Sequence, residues 1–224
     1  MLLNKHIDHT KLGANVSKAQ IDKLLDEAKT YDFKSVCVNP IWVKYVHQKL
    51  KKTTVLTCTV IGFPHGTHEP NVKKYEAEQA VLDGAEELDL VINVAALHQK
   101  DYHKISSEIK GVVEAADGRV VKVIIETCYL SDEEIVKVCE LAVDAGANFV
   151  KTSTGFGTGG ATVEHVKLMK ETVGDRAEVK ASGGVRTYDQ AMAMIEAGAT
   201  RLGTSNGVQI MEKEGPKNDS NSSY

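Results

Sequence analysis

Two kinds of segment alternate along this chain: short runs of apolar, β-branched residues and longer amphipathic stretches. The short runs read HIDHT, SVCVN, VLTCTVIGF, ELDLVIN, VVKVIIET, NFVKTS, EVKAS and TRLGTS. The longer stretches, such as KAQIDKLLDEAKTY and DEEIVKVCELAVDAGA, carry apolar residues at helical spacing. The pattern predicts eight strand–helix units with no linker between them.

Several predicted helices have recognisable ends. Ser17 and Ser131 stand at N-cap positions, each with Gln or Glu three residues later. Gly84, Gly146 and Gly198 follow helical stretches and can adopt the left-handed conformation that ends a helix. These signals support the helical assignment of the amphipathic stretches.

Strands that alternate with helices favour a parallel sheet, which is either a closed barrel or an open, doubly wound sheet. An open sheet is expected to carry a phosphate loop after its first strand, but that strand is followed by TKLGANVSK, with one glycine. Glycines gather instead after strands six, seven and eight, where barrels form phosphate sites. We therefore predict an α/β fold: a single (β/α)8 TIM barrel over residues 1–212, followed by a flexible C-terminal tail, 213–224.

Composition and charge exclude several functions. Of the 224 residues, 42% are hydrophobic and 26% charged, as in ordinary globular proteins. A net charge of -4 and a sequence pI near 6.1 argue against nucleic-acid and anionic-membrane partners. The N-terminus shows no apolar signal core, and no run of about 18 apolar residues occurs. We therefore expect a cytoplasmic protein.

The cysteines and histidines do not show the spacing of a metal site. The four cysteines are Cys37, Cys58, Cys128 and Cys139. They lie far apart in the sequence without a CxxC pair, so we expect reduced, mostly buried thiols rather than a zinc site or a disulfide framework. His65 and His68 lack a carboxylate or cysteine partner at matching spacing, so no metal is predicted there either.

Several charged residues are predicted to lie inside the barrel. Side chains alternate along a strand, and the outer face of a barrel strand meets helices, so charged strand residues should point inward. This places Asp89, Lys151 and Lys180 at the barrel mouth. Lys122 and Glu126 share an inward face as well, and either a structural ion-pair network or a functional role fits them.

Lys151 and Lys180 form an unusual pair. Two amines on adjacent strands repel each other, and a network built for stability would not choose them. An amine that forms a Schiff base must lose its proton, and a second ammonium some 5 Å away contributes roughly 3 kcal/mol toward that loss at an effective dielectric near 20. Asp89 acts in the opposite direction, so we expect it to lie nearer to Lys180 or to the substrate than to Lys151.

Eight motifs together resemble the deoxyribose-phosphate aldolase family. They read IDHTKL, SVCVNP, TCTVIGFPHG, ELDLVIN, VIIETCYL, FVKTSTGFGTGGAT, VKASGGVRT and RLGTSNG, and they run in the family's order from residue 7 to residue 207. The resemblance implies a class I aldolase on a TIM barrel. Such an enzyme cleaves 2-deoxy-D-ribose 5-phosphate reversibly to acetaldehyde and D-glyceraldehyde 3-phosphate, without a metal or organic cofactor.

The resemblance also implies roles for single residues. Lys151 would form the Schiff base, Lys180 would perturb it, and Asp89 would manage protons through water. Asp8 and Thr10 would line the site near a sugar hydroxyl. The residues that match the family's phosphate-binding loops are Gly155, Gly183, Gly184, Gly203 and Ser205.

Three features depart from the family pattern or extend it. Ala95 to His98 replace the usual Gly-Ala-Leu-Lys, and His65 stands where Leu is common, which puts the geometry of the rim in doubt. The tail KEGPKNDSNSSY is polar and ends in Tyr224, as in some relatives that end in Ser-Tyr. We hypothesise that the tail transiently brings the Tyr224 hydroxyl over the barrel mouth to assist proton transfer.

Other functions remain open at this stage. A different barrel enzyme on a phosphorylated substrate, such as an isomerase or a transaldolase-like enzyme, would share these features. So would a non-catalytic sugar-phosphate-binding barrel, although such a relative should have lost Lys151, Lys180 or Asp89. Barrels of this kind often pair, so we expect a homodimer or homo-oligomer, without an interface that the sequence identifies.

Overall fold

Eight parallel strands close into one barrel in chain order, and β8 pairs with β1. The computed structural model describes residues 2–213, so residues 214–224 of the predicted tail, with Tyr224, lie outside the described residues. The strands are β1 Ile7–Lys11, β2 Ser35–Val38, β3 Leu56–Ile61, β4 Glu87–Val91, β5 Val120–Ile124, β6 Phe149–Lys151, β7 Glu178–Ser182 and β8 Arg201–Thr204. The predicted (β/α)8 barrel is confirmed.

Helices connect the strands and cover the outside of the barrel. They are α1 Lys18–Tyr31, α2 Val43–Leu50, α3 Pro70–Leu82, α4 Val94–His98, α5 Tyr102–Ala115, α6 Asp132–Asp144, α7 Val163–Val173, α8 Tyr188–Glu196 and α9 Gly207–Glu212. Short 3₁₀ helices occupy Leu3–His6, Pro40–Trp42 and Thr127–Tyr129. Within residues 2–213, none of the helices combines the length and apolar character needed to cross a membrane.

The predicted helix ends are confirmed. Ser17 and Ser131 each cap a helix through a capping box, in which the serine and the residue three positions later bond reciprocally to the backbone. Gly84, Gly146 and Gly198 follow α3, α6 and α8 with φ values of 104°, 92° and 112°. Local sequence therefore sets where these helices begin and end.

Strand alternation separates the two faces of the barrel wall. On β4, Leu88 and Leu90 face outward into the main apolar core between strands and helices. Glu87 and Asp89 are also buried, but they form ion pairs inside the barrel. The apolar layer outside thus holds a charged interior in place.

The end of β4 is fixed by a buried ion pair between α3 and α5. Lys73 Nζ lies 2.6 Å from a Glu108 carboxylate oxygen and donates to the Val91 carbonyl at 2.9 Å. Glu108 accepts from the backbone N–H of Asn93 at 2.8 Å. These contacts satisfy polar groups where the strand that carries Asp89 ends.

Candidate active site

Lys151 and Lys180 are register partners on β6 and β7, as predicted. Each ammonium group lies 2.7 Å from the same atom, Oδ2 of Asp89. Lys180 and Asp89 are fully buried, whereas Lys151 retains 3% exposure. The expectation that Asp89 lies nearer to Lys180 than to Lys151 is wrong, because the carboxylate bridges both amines at equal distance.

The second oxygen of Asp89 faces a third amine. Lys122 Nζ donates to Asp89 Oδ1 at 2.9 Å, and the Cys58 thiol donates to the same oxygen at 3.3 Å. Burial alone would raise the pKa of Asp89, but the ammonium groups of Lys122, Lys151 and Lys180 hold it well below its usual range. Asp89 is therefore an ionised carboxylate at neutral pH.

Lys180 has a second carboxylate partner in Asp8, whose Oδ2 lies 2.5 Å from the amine. Burial lowers the pKa of Lys180, but Asp8 and Asp89 outweigh it and raise that pKa above its usual range. Lys180 therefore stays protonated, as the hypothesis of a perturbing cation requires.

Asp8 lies deeper than the sequence analysis expected. Its carboxylate is fully buried, and Oδ1 accepts from Ser35 Oγ at 2.6 Å and from Arg201 at 2.8 Å. The ammonium group of Lys180 forms an ion pair with Oδ2 of Asp8. Thr10, also predicted near a sugar hydroxyl, donates its hydroxyl to the Asp8 carbonyl at 2.8 Å. The hydroxyl of Thr10 and Oδ1 of Asp8 thus form hydrogen bonds within the protein, and Oδ2 of Asp8 forms an ion pair with Lys180.

The interior charges form a closed ring, which we call the charge ring. Each member contacts the next, in the order Asp8, Arg201, Glu87, Lys122, Asp89, Lys180 and back to Asp8. The six contacts measure between 2.5 and 2.9 Å. Lys122 therefore belongs to the ion-pair network that was one of the two alternatives for it. Arg201 and Glu87 were not singled out by the sequence analysis.

Lys151 stands outside the charge ring. In the part of the chain that the structure describes, it has one carboxylate partner, Asp89. Each of the three cations within the ring has two. The ring is electrically balanced, with three cations and three carboxylates, so the Lys151 ammonium adds the unbalanced charge.

The small-residue loop after Lys151 is tied to the next strand. Thr152 Oγ1 donates to the Ser182 carbonyl at 3.0 Å and accepts from the Ser182 N–H at 3.0 Å. Ser182 Oγ donates to the Ser153 carbonyl at 2.6 Å. The loops that follow β6 and β7 are therefore held side by side above the lysine pair.

The glycines predicted to bind phosphate lie in different settings. Gly155, Gly183 and Gly184 lie in the loops after β6 and β7, with φ values between 81° and 88° that disfavour other residues. Gly203 lies within β8 rather than in a loop, and a Cβ there would come within 3.0 Å of Lys180 Cε. Ser205 follows the end of β8. Gly203 therefore makes room for the Lys180 side chain.

Glu126 supports the loop that follows Lys151. Its buried carboxylate accepts from the Thr154 backbone N–H at 3.2 Å and from the Thr154 hydroxyl. Burial raises the pKa of Glu126 above its usual value, although the Thr154 contacts oppose the rise. Both residues line a recess of about 70 Å³ together with His65 and Phe156. The sequence suggested Glu126 through strand alternation but offered no signal for Thr154.

The thiols are free, as predicted, and three of the four are buried. Although Cys37 and Cys58 are far apart in the sequence, they are register partners on β2 and β3. Together with Asp89 they form the one group of potential metal ligands found within residues 2–213. Strand register brings Cys37 and Cys58 together, and the spacing of the cysteines along the sequence does not reveal that register.

Known proteins resemble this chain in sequence and in fold. The model of the DeoC/LacD family aldolases matches residues 3–213. A deoxyribose-phosphate aldolase of Carboxydothermus hydrogenoformans is 61% identical over 210 residues, covering 92% of each chain. That of Streptococcus sanguinis is 57% identical over 219 residues, covering 98% of this chain and 100% of the relative.

A solved structure agrees with these sequence matches. The tetrameric deoxyribose phosphate aldolase of Aeropyrum pernix superposes with a TM-score of 0.88 at 33% identity, covering 94% of this chain and 89% of the other. Because the family match and the high identities extend over nearly the whole barrel, the chain belongs to the DeoC/LacD family of aldolases.

Proposed function

We propose that the chain reversibly cleaves 2-deoxy-D-ribose 5-phosphate to acetaldehyde and D-glyceraldehyde 3-phosphate, through a Schiff base at Lys151. The names of the relatives support the substrate. The observation that carries the assignment of the lysine is the place of Lys151 outside a balanced charge ring. Within residues 2–213, Lys151 contacts one carboxylate, whereas each cation of the ring contacts two, so its amine has fewer ion pairs to break before it acts as a nucleophile.

Schiff-base formation follows from the geometry of the bridged pair. The neutral Lys151 amine attacks the aldehyde carbon of the open-chain sugar, and the carbinolamine loses its hydroxyl as water. The Lys180 ammonium, held between Asp8 and Asp89, donates a hydrogen bond to the departing hydroxyl, which takes its proton from solvent and leaves as water. The iminium that forms at Lys151 is again a cation, and Asp89 stabilises it as it stabilises the resting ammonium.

Bond cleavage uses the same groups. The bond between the α and β carbons of the iminium breaks, and the iminium accepts its electron pair. This step yields an enamine and releases the three-carbon aldehyde. The proton of the sugar hydroxyl leaves through water held by the ionised Asp89. Protonation of the enamine carbon and hydrolysis then release acetaldehyde and restore Lys151.

The phosphate group of the substrate is assigned to the loops beside the lysine pair. Backbone N–H groups of Gly155, Gly183 and Gly184 can approach an anion closely, because these residues lack side chains. Gly203 and Ser205 extend this region along β8 and the residues that follow it. The hydrogen bonds between Thr152 and Ser182 hold the two loops together for that purpose.

Borohydride trapping tests the assignment. Wild-type enzyme incubated with acetaldehyde and borohydride should gain a reduced two-carbon adduct, and peptide mapping should place it on Lys151. Lys151→Met should gain none. An adduct on Lys180 or Lys122 in the wild-type protein would contradict the assignment. Release of free acetaldehyde from the phosphorylated sugar separates this activity from that of a transaldolase-like enzyme, which retains a fragment.

Tyr224 lies outside the described residues, and its role stays a hypothesis from the sequence. We propose that its hydroxyl assists proton transfer at the enamine carbon. Tyr224→Phe should slow exchange of solvent protons into bound acetaldehyde while thermal stability and borohydride trapping stay nearly unchanged. Wild-type exchange and turnover in Tyr224→Phe would end this hypothesis.

We further propose a homo-oligomeric enzyme of the cytoplasm. Val72, Tyr75 and Leu82 are exposed along one side of α3, an apolar stripe suited to self-association. The tetrameric relative is consistent with such assembly. Free thiols are usual in a reducing compartment. Light scattering of the wild type and of Tyr75→Glu tests the assembly, because the charged variant should dissociate if α3 forms the contact.

A further inference from the structure

Two thiols and a carboxylate converge beside the lysine pair. Cys37 and Cys58 lie in register on β2 and β3 with both side chains fully buried. The potential ligand atoms of Cys37, Cys58 and Asp89 all lie within 4.8 Å of one another. Cys58 Sγ already donates to Asp89 Oδ1 at 3.3 Å. The mechanism proposed above uses neither thiol.

The surroundings of the thiols are apolar on one side and cationic on the other. Leu12, Val60 and Phe63 pack around Cys37 and Cys58. Lys122 Nζ lies 3.6 Å from Cys58 Sγ, close enough to stabilise a thiolate there. Two buried thiols and one buried carboxylate match the preference of thiophilic divalent cations rather than that of Mg²⁺ or Ca²⁺.

The separations suit a tetrahedral ion. With Zn–S bonds of about 2.3 Å and Zn–O bonds of about 2.0–2.2 Å, neighbouring ligands of zinc lie roughly 3.5–3.8 Å apart. The three ligand atoms lie within 4.8 Å of one another, and Cys58 Sγ lies 3.3 Å from Asp89 Oδ1, so changes in side-chain torsion angles suffice to reach that range. Three protein ligands leave a fourth position for water.

Charge is conserved when a divalent cation enters. The ion replaces one proton on Cys37 and one on Cys58, so the net charge of the barrel interior does not change. The oxygen of Asp89 that faces the thiols is Oδ1, and its amine partner is Lys122, so the ion must displace the Lys122 ammonium from that oxygen. Metal binding therefore opens the charge ring at the contact between Lys122 and Asp89.

We propose that Cys37, Cys58 and Asp89 form an inhibitory site for a thiophilic divalent cation of the zinc class. Binding releases two thiol protons, forms two metal–sulfur bonds and one metal–oxygen bond, and displaces Lys122 from Asp89, the carboxylate that bridges Lys151 and Lys180. The ion enters through the same barrel mouth as the substrate, since Lys151, at 3% exposure, is the residue of this group nearest to solvent.

Cadmium titration of the substrate-free protein tests the site. Wild type should bind one Cd²⁺ per chain with release of two protons and a cadmium–thiolate charge-transfer band. Cys37→Ser and Cys58→Ser should each weaken binding by at least about tenfold, since even the loss of a ligand's hydrogen-bond partner costs about 10–100-fold. Cys139→Ala, a buried cysteine of α6 outside the barrel interior, is the matched control and should bind as wild type.

Two further measurements use the wild-type chain alone. X-ray absorption of bound Zn²⁺ should show two sulfur ligands at about 2.3 Å. A ligand shell without sulfur, or unchanged Cd²⁺ affinity in Cys37→Ser and Cys58→Ser, would overturn the site. Zn²⁺ should also reversibly suppress borohydride trapping at Lys151. This second measurement rests on the proposed function. Stoichiometric binding without such suppression would overturn the inhibitory role while the site stands.

Discussion

Lys151 and Lys180, in register on adjacent strands, both donate to one oxygen of Asp89 at 2.7 Å. They differ in their other partners, because Lys180 also contacts Asp8 and belongs to the charge ring. The same carboxylate thus holds one amine that is fixed as a cation and one that is free to react. This asymmetry between two identical side chains underlies the chemistry proposed for the site.

Removing Lys180 should make Lys151 harder to deprotonate. In Lys180→Leu, Asp8 and Asp89 lose a cation, and their excess negative charge favours the Lys151 ammonium. The acidic limb of the pH–rate profile should move upward by about one to two units. A lower rate with an unshifted limb would instead assign Lys180 to proton transfer or substrate binding alone.

Breaking the charge ring should cost far more stability than breaking a surface pair. Glu87→Gln leaves Lys122 and Arg201 buried with one carboxylate each, and unfolding in urea should show a loss of about 3–5 kcal/mol. Lys18→Ala removes the pair with Asp22, whose side chains are 60% and 41% exposed, and should leave the free energy of unfolding nearly unchanged. Similar losses in both variants would contradict a structural role for the ring.

Acid should unfold the protein through Asp8 and Asp89. Burial raises the pKa of each, but neighbouring cations outweigh it, so both values lie below the ordinary aspartate range in the folded state. Their stabilising contribution is complete above about pH 4 and is lost as the pH falls through the depressed folded-state values. The free energy of unfolding should therefore decrease as the pH is lowered below about 4. This decrease should be less steep in Asp89→Asn than in wild type. Asp26→Asn on the exposed surface serves as the control, and an equal slope in Asp89→Asn would contradict the linkage.

A side chain at Gly184 should disturb phosphate binding specifically. Gly184 has a φ of 81°, so Gly184→Val both strains the loop and covers its N–H groups. KM should rise for 2-deoxy-D-ribose 5-phosphate far more than for unphosphorylated deoxyribose. Gly174→Val is a matched control, because Gly174 also has a positive φ and open space around a Cβ, but it follows α7. Equal losses on both substrates in Gly184→Val would contradict the placement of the phosphate.

The sequence predicted the candidate reactive residues because they depend on local order. Alternation along β4, β6 and β7 suffices to point Asp89, Lys151 and Lys180 inward. The order of the strand–helix units also placed Lys151 and Lys180 on adjacent strands, and the structure adds that they are in register. The eight-unit pattern likewise predicted the barrel that the structure confirms.

Relationships between strands distant in the sequence were out of reach. Arg201 contacts Asp8 because β8 closes onto β1, and it contacts Glu87 across the barrel interior. Cys37 meets Cys58 through a register that no spacing rule encodes. The equal sharing of Asp89 between two amines likewise depends on side-chain positions at the centre of the barrel, which strand alternation does not specify.

The charge ring also constrains biosynthesis. Its members come from β1, β4, β5, β7 and β8, and Arg201 in the final strand is the last to be synthesised. A nascent chain on the ribosome that lacks this strand leaves Asp8 and Glu87 without their arginine, and an unpaired buried charge disfavours closure. The environment proposed to activate Lys151 is therefore complete only after β8 has been synthesised, so a nascent chain that stops before Arg201 should not form the proposed Schiff base.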